Sequence, residues 1–183
     1  MKPDSVRYNR ASDIAPSCCD FFERRFPSLF LIKVRTRFSA ALRLYSNEMT
    51  EEENFRLYGK CASPNGHGHD YDVEVAFMGD IDSRTGMVAN FYELQKLLDS
   101  EIFDRVDHTN LNTDVDFLKG VIPTTENLAK AFWDLLEPHR EVGQLFSISV
   151  GERTNNLVTY FGPDANLNDI RTKLLRESAT PNQ

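Results

Sequence analysis

The chain has 183 residues, 40% of them hydrophobic and 27% charged, enough for one domain whose core needs no staples. A formal net charge of -7 argues against a general nucleic-acid or membrane-surface binder, while leaving room for an anionic substrate in a local basic pocket. The three cysteines, Cys18, Cys19 and Cys61, make no even, spaced framework, which points to a reducing compartment, and no apolar run approaches the ~18 residues of a membrane span.

Residues 1–29 mix charge with Pro16, Pro27, Phe21 and Phe22 in no sustained period, and read as an N-terminal extension with one candidate short helix at 20–26. They lack an apolar segment behind a basic start. Asp4, Asp13, Asp20 and Glu23 speak against a mitochondrial presequence, so a cytoplasmic location is expected. From Phe30 the pattern changes. Ile32, Val34, Thr36, Phe38 and Ala40 alternate with Lys33, Arg35, Arg37 and Ser39, the period of a half-buried strand, and Leu42 and Leu44 keep the parity. Residues 47–58 are acidic and helix-compatible, with Thr50 and Glu53 in capping-box spacing.

A second strand is expected where Tyr71, Val73, Val75 and Phe77 alternate with Asp72, Glu74 and Ala76. After a turn-rich break at 80–86, Phe91, Leu94, Leu98 and Ile102 recur at helical spacing, with Leu97 widening the stripe, which predicts an amphipathic helix over 90–105. Thr124 is a natural N-cap for a second helix that buries Leu128, Ala131, Phe132, Leu135 and Leu136 and ends by Pro138. Closing strands are predicted at 144–153 and 156–162, joined by a tight turn at Thr154 and Asn155, before a polar tail from 163. This order predicts an α+β domain over 30–162, a four-stranded antiparallel sheet with two helices on one face. Its two open edges would need covering or pairing, and pairing between subunits into a barrel predicts an oligomer.

Chemistry concentrates around the stretch CASPNGHGHDY at 61–71. In extended backbone His67 and His69 aim the same way, an arrangement that suits two ligands of a zinc ion, and the turn at 63–66 could fold Cys61 back toward them. The alternative is a surface loop with two solvated histidines and a buried free cysteine. Asp107 and His108 sit in the loop after the predicted helix, where a carboxylate could fix the tautomer of an imidazole and raise its basicity. Glu152 shares the parity of Phe146, Ile148 and Val150, so either the strand has left the core by 152 or the carboxylate meets a specific partner. A thiol base, an imidazole–carboxylate pair and a Lewis acid would together suit proton abstraction beside a developing carbonyl.

Stretches from about Phe38 to Gly162 closely resemble the 6-pyruvoyltetrahydropterin synthase family of the tunnelling-fold superfamily. They are FSAALRLYS (38–46), EEN (52–54), LYGKC (57–61), PNGHGHDY (64–71), IDSRTGMV (81–88), DHTNL (107–111), TTENLA (124–129) and ERTNN (152–156). The gap between Cys61 and His67 is similar to that of the animal-type enzymes. The resemblance implies a tunnelling fold, and conversion of 7,8-dihydroneopterin triphosphate to 6-pyruvoyltetrahydropterin and triphosphate, in tetrahydrobiopterin biosynthesis. It implies Cys61 as the base, Asp107 and His108 as the groups that activate it, and Glu152 as the carboxylate that grips the pterin ring. Thr124 and Thr125 match a substrate-binding segment, and His67 and His69 match two of three zinc ligands. A homohexamer of two stacked trimers, with active sites between subunits, is implied as well. One position departs from the pattern. The family's third zinc ligand is a His in a motif like FSAxHRL, and Leu42 stands there. The expected cofactor is therefore zinc at a weakened or absent site, and a non-catalytic pterin-binding or assembly paralogue is the alternative reading. Asp70, where the family usually has Asn, is a milder change. Arg37, Arg43 and Lys60 are candidates for holding a triphosphate.

Overall fold

The computed structural model describes residues 30–152 and 156–163. The expected extension with Cys18 and Cys19, the turn at Thr154 and Asn155, and the tail from 164 lie outside the described residues. β1 (Phe30–Leu42) and β2 (His67–Gly79) pair antiparallel over their whole length, from Phe30 opposite Gly79 to Leu42 opposite His67. β3 (Gln144–Glu152) and β4 (Asn156–Tyr160) complete a four-stranded antiparallel sheet in the order β1-β2-β3-β4. Alternation decides the faces. Val34, Phe38, Ala40 and Leu42 of β1 join Tyr71, Val73, Val75 and Phe77 of β2 and Ile148 and Val150 of β3 in one core. The other face carries a ladder of opposite charges: Lys33 and Arg35 meet Glu74, and Arg37 meets Asp72. Such exposed pairs are worth roughly 0.2–1 kcal/mol each. They fix register more than they add stability.

Among the described residues the longer helices are α1 (Glu51–Tyr58), α2 (Phe91–Leu98) and α3 (Thr125–Leu136). The capping box of α1 forms as its spacing predicts, with Thr50 accepting from the Glu53 amide and the Glu53 carboxylate accepting from the Thr50 amide. α2 and α3 bury Leu94, Leu97, Leu98, Leu128, Phe132 and Leu136 against the sheet, giving the expected layer of helices on one face.

Two local features differ from the periodicity. The helix predicted over 90–105 is α-helical only as far as Leu98. It then passes through a π-helical turn, Asp99–Phe103, and a last α turn, Asp104–Val106. The wider turn still buries Ile102 and Val106, and it delivers the chain to Asp107. In the β2–β3 pair the register shifts between Ala76 and Phe77, so Phe77 faces Leu145 rather than Phe146. This bulge takes Phe146 off the parity of Ile148 and Val150. Leu145 packs on the core in its place, and Phe146 meets Phe161 edge-on, with ring centres 5.8 Å apart.

A buried side chain, Asn54, ties α1 to the segment that follows β1. Its amide nitrogen donates to the carbonyls of Ser46, Met49 and Thr50, and its oxygen accepts from the Ser46 amide at 2.7 Å. Asn54→Ala strands several of these buried groups, and we expect it to cost about 2–3 kcal/mol. Thermal melting should then fall by roughly 5–10 °C. An unchanged melting temperature would contradict this role.

Candidate functional site

The β1–β2 register stacks a set of side chains at one end of the core face. Leu42 faces His67, Ala40 faces His69 and Phe38 faces Tyr71, while across the other edge of β2 Tyr71 faces Glu152 of β3. The His67 and His69 rings lie 4.8 Å apart and nearly perpendicular. Their proximity agrees with the strand period, which puts residues two apart on one face. Partial burial and the neighbouring His69 hold the His67 imidazole below its ordinary pKa, with Glu152 opposing weakly.

Cys61 arrives on a 3-10 turn, Gly59–Ala62, directly after α1. Its carbonyl accepts from the Leu44 amide at 2.9 Å, which ties the half-buried cysteine to the end of β1. The chain then turns back through 63–66, where the Gly66 amide donates to the Ser63 carbonyl. Gly66 has φ +68, and a β-carbon there would sit 2.9 Å from the Leu42 carbonyl oxygen. Only glycine allows so close an approach.

Glu152 meets a specific partner, as the core-facing parity allows. Its Oε1 accepts from Thr125 Oγ1 at 3.1 Å, and Oε2 lies 3.8 Å from His69 Nε2. Thr124 is held as the N-cap of α3, accepting from the Asn127 amide, and so presents Thr125 to Glu152. Tyr71 was not among the sequence candidates because its parity marks it as core. Burial foremost, then Glu152 and Cys61, push its phenol far above the ordinary range. Among the described residues its hydroxyl, like His67 Nδ1, is buried without a partner within hydrogen-bond distance.

Asp107 and His108 occupy a different place, on the outer edge of β1. The His108 amide donates to the Ser39 carbonyl at 2.7 Å, and Asp107 Oδ1 accepts from the Ser39 amide. Further on, the Ala41 amide donates to the Thr109 carbonyl and the Ala41 carbonyl accepts from the Leu111 amide, so 108–111 cover this part of the edge. His108 adopts a left-handed conformation at φ 57, which brings its Nδ1 to 2.6 Å from Asp107 Oδ2. The Ser39 amide, and then His108, hold the Asp107 carboxyl below its usual range. The imidazole itself is 82% exposed. Among the described residues no hydrogen bond or ion pair joins it to Cys61 within one chain.

The basic candidates separate too. Arg37 is paired to Asp72 on the outer face. Arg43 lies 4.0 Å over the Tyr45 ring, donates to the Ala62 carbonyl, and lines a groove of about 700 Å³ with Leu42, Asn65 and Asn112.

The donor set does not fit a resident zinc ion. Zinc sites take three or four protein ligands. Here the side chain directly across from His67 is the hydrocarbon of Leu42, 1% exposed and packed in the core. Among the described residues there is no group of three histidine, cysteine, aspartate or glutamate side chains arranged to hold a metal.

Comparison with known proteins adds an independent finding. The family model described as 6-pyruvoyl tetrahydropterin synthase matches residues 31–163. A human relative, 6-pyruvoyl tetrahydrobiopterin synthase, is 47% identical over 128 residues, covering 70% of this chain and 88% of that protein. The Drosophila melanogaster protein of the same description is 37% identical over 158 residues, covering 84% and 94% respectively. The solved structure of the Caenorhabditis elegans 6-pyruvoyl tetrahydropterin synthase superposes with a TM-score of 0.68 at 35% identity, covering 74% of this chain and 97% of that one.

Leu42 sets a direct test of the metal. Purified protein dialysed against trace zinc should retain well under about half an equivalent per chain, and Leu42→His should bring it near one. One tightly held zinc per wild-type chain, measured by elemental analysis, would overturn this account of the donor set.

Proposed function

The chain belongs to the 6-pyruvoyl tetrahydropterin synthase family and shares its function as a lyase of tetrahydrobiopterin synthesis, and we propose that it converts 7,8-dihydroneopterin triphosphate to 6-pyruvoyltetrahydropterin as a carbon–oxygen lyase acting on a phosphate ester. The reaction balances within the substrate. The carbon–oxygen bond to triphosphate breaks and both side-chain hydroxyls become carbonyls; one of the two electron pairs released reduces the ring imine, and the other turns the terminal carbon into a methyl group as triphosphate departs with its bonding pair. It calls for a base that lifts protons from the side-chain carbons and for a fixed ring.

The observation that carries this reading is the Glu152 carboxylate, anchored by Thr125 at the end of the core face where His69 and Tyr71 also converge. A partly exposed carboxylate at 23% is available to the N–H groups of a pterin ring, and Thr124 holds the helix end that presents Thr125. Cys61 is the base; only the thiolate form of a cysteine takes up a proton, so it needs a neighbour to draw off its own. The Asp107 carboxylate orients His108 for that task. Because this pair stands exposed on the β1 edge, it serves the Cys61 of an adjoining subunit. That supports a homohexamer with active sites shared between subunits, and the remaining open edge of β1 supports the same assembly. His67 and His69 would be the donors toward zinc. With Leu42 in the third place, no step is assigned to a metal. The cytoplasm is the proposed location, consistent with the sequence; no helix among the described residues is long and apolar enough to cross a membrane. The relatives are synthases, and nothing in them favours the alternative of a non-catalytic paralogue.

Turnover of 7,8-dihydroneopterin triphosphate, followed by chromatography of the pterin product, tests the proposal. Cys61→Ala should lower kcat by about 100-fold or more while leaving pterin affinity within about threefold. Wild-type turnover no faster than buffer would refute the reading.

A further inference from the structure

Tyr71 is fully buried, its ring stacked on Phe38 with centres 4.8 Å apart and set edge-on to His69 at 6.0 Å. Among the described residues its hydroxyl has no partner within hydrogen-bond distance. Buried hydroxyls are ordinarily bonded, and a phenylalanine would fill the same space without the polar cost, as Phe38 and Phe77 do on the same face. The residue directly across the strand pair is Glu152. Among the described residues a hydrogen bond from Thr125 reaches Oε1 of that carboxylate, His69 Nε2 stands 3.8 Å from Oε2, beyond hydrogen-bond reach, and the carboxylate lies near enough to Tyr71 to push its phenol up. A donor without an acceptor and a carboxylate oxygen with spare capacity therefore face each other in one cluster.

We infer that Tyr71 is a positioning residue for Glu152: with a pterin in the recess its hydroxyl donates to the carboxylate and, together with Thr125, fixes the plane in which Glu152 meets the ring. This rests on Glu152 as the ring-binding group. Tyr71 acts through that carboxylate and does not touch the carbons that exchange protons. Its loss should therefore weaken binding and raise KM while leaving the chemical step nearly intact.

Fluorescence titration of the assembled protein with neopterin, beside steady-state kinetics, separates the possibilities. Glu152→Gln should weaken neopterin binding by about 30-fold or more, and Tyr71→Phe by about tenfold, with kcat within about twofold and melting within a few degrees. In the Glu152→Gln background, Tyr71→Phe should add less than about twofold, since the two act as a unit. If Tyr71→Phe binds like the wild type while Glu152→Gln loses binding, the positioning role is wrong and the ring-binding role stands. If neither variant loses binding, both are wrong. Should Tyr71→Phe fail to fold, a structure of the wild-type neopterin complex decides: Tyr71 Oη within about 3.2 Å of a Glu152 oxygen is expected, and a separation beyond about 4 Å overturns the inference.

Discussion

The antiparallel register of β1 on β2 is the constraint on which the rest of this molecule depends. Sliding either strand by a single residue would turn its faces over, sending Phe38 and Leu42 of β1, or His67, His69 and Tyr71 of β2, outward and that strand's half of the charge ladder into the core. The cost of burying Arg35, Arg37, Glu74 and Asp72 forbids that slip. Once the register is set, the core face necessarily ends in two imidazoles and a phenol, and the β2–β3 pairing adds Glu152 beside them. The outer edge of β1 is left to carry Asp107 and His108, clamped to the backbone of Ser39.

Much of this was legible in the sequence because it depends on periodicity. The strand alternation, the helical stripes, the capping box of α1 and the inward parity of Glu152 all follow from local spacing and burial. What was not legible depends on how separate segments meet. The bulge opposite Phe77 inserts one residue and reverses the face of Phe146, and nothing local announces it. The π turn keeps an apolar stripe that fits an α-helix nearly as well. Asn54 looks like a surface polar residue in an acidic helix, and its burial comes from the loop folded over it. Tyr71 was hidden by being correctly read as core.

Leu42 shows how fold and chemistry can part at one position. A leucine is well suited to the inward parity of β1, and it is buried in the shared core with no disturbance of the pairing around it. The same hydrocarbon offers no donor to join His67 and His69 in a metal site. The sheet therefore gains a well-packed hydrocarbon at the place directly across from His67. The proposed base, Cys61, and the proposed ring-binding group, Glu152, lie on other elements.

The geometry of a single chain divides the proposed chemistry in two. Cys61 and Glu152 belong to the core-facing end of the sheet, and the His108 imidazole stands exposed at its edge. The central claim is that these halves meet across subunits, and complementation measures it most directly. Cys61→Ala and His108→Ala proteins, each inactive alone, are unfolded together, reassembled in equal amounts and assayed. Sites that draw both intact groups from different subunits should restore about a quarter of the wild-type rate. Mixed assemblies that remain as inactive as either parent would contradict the claim.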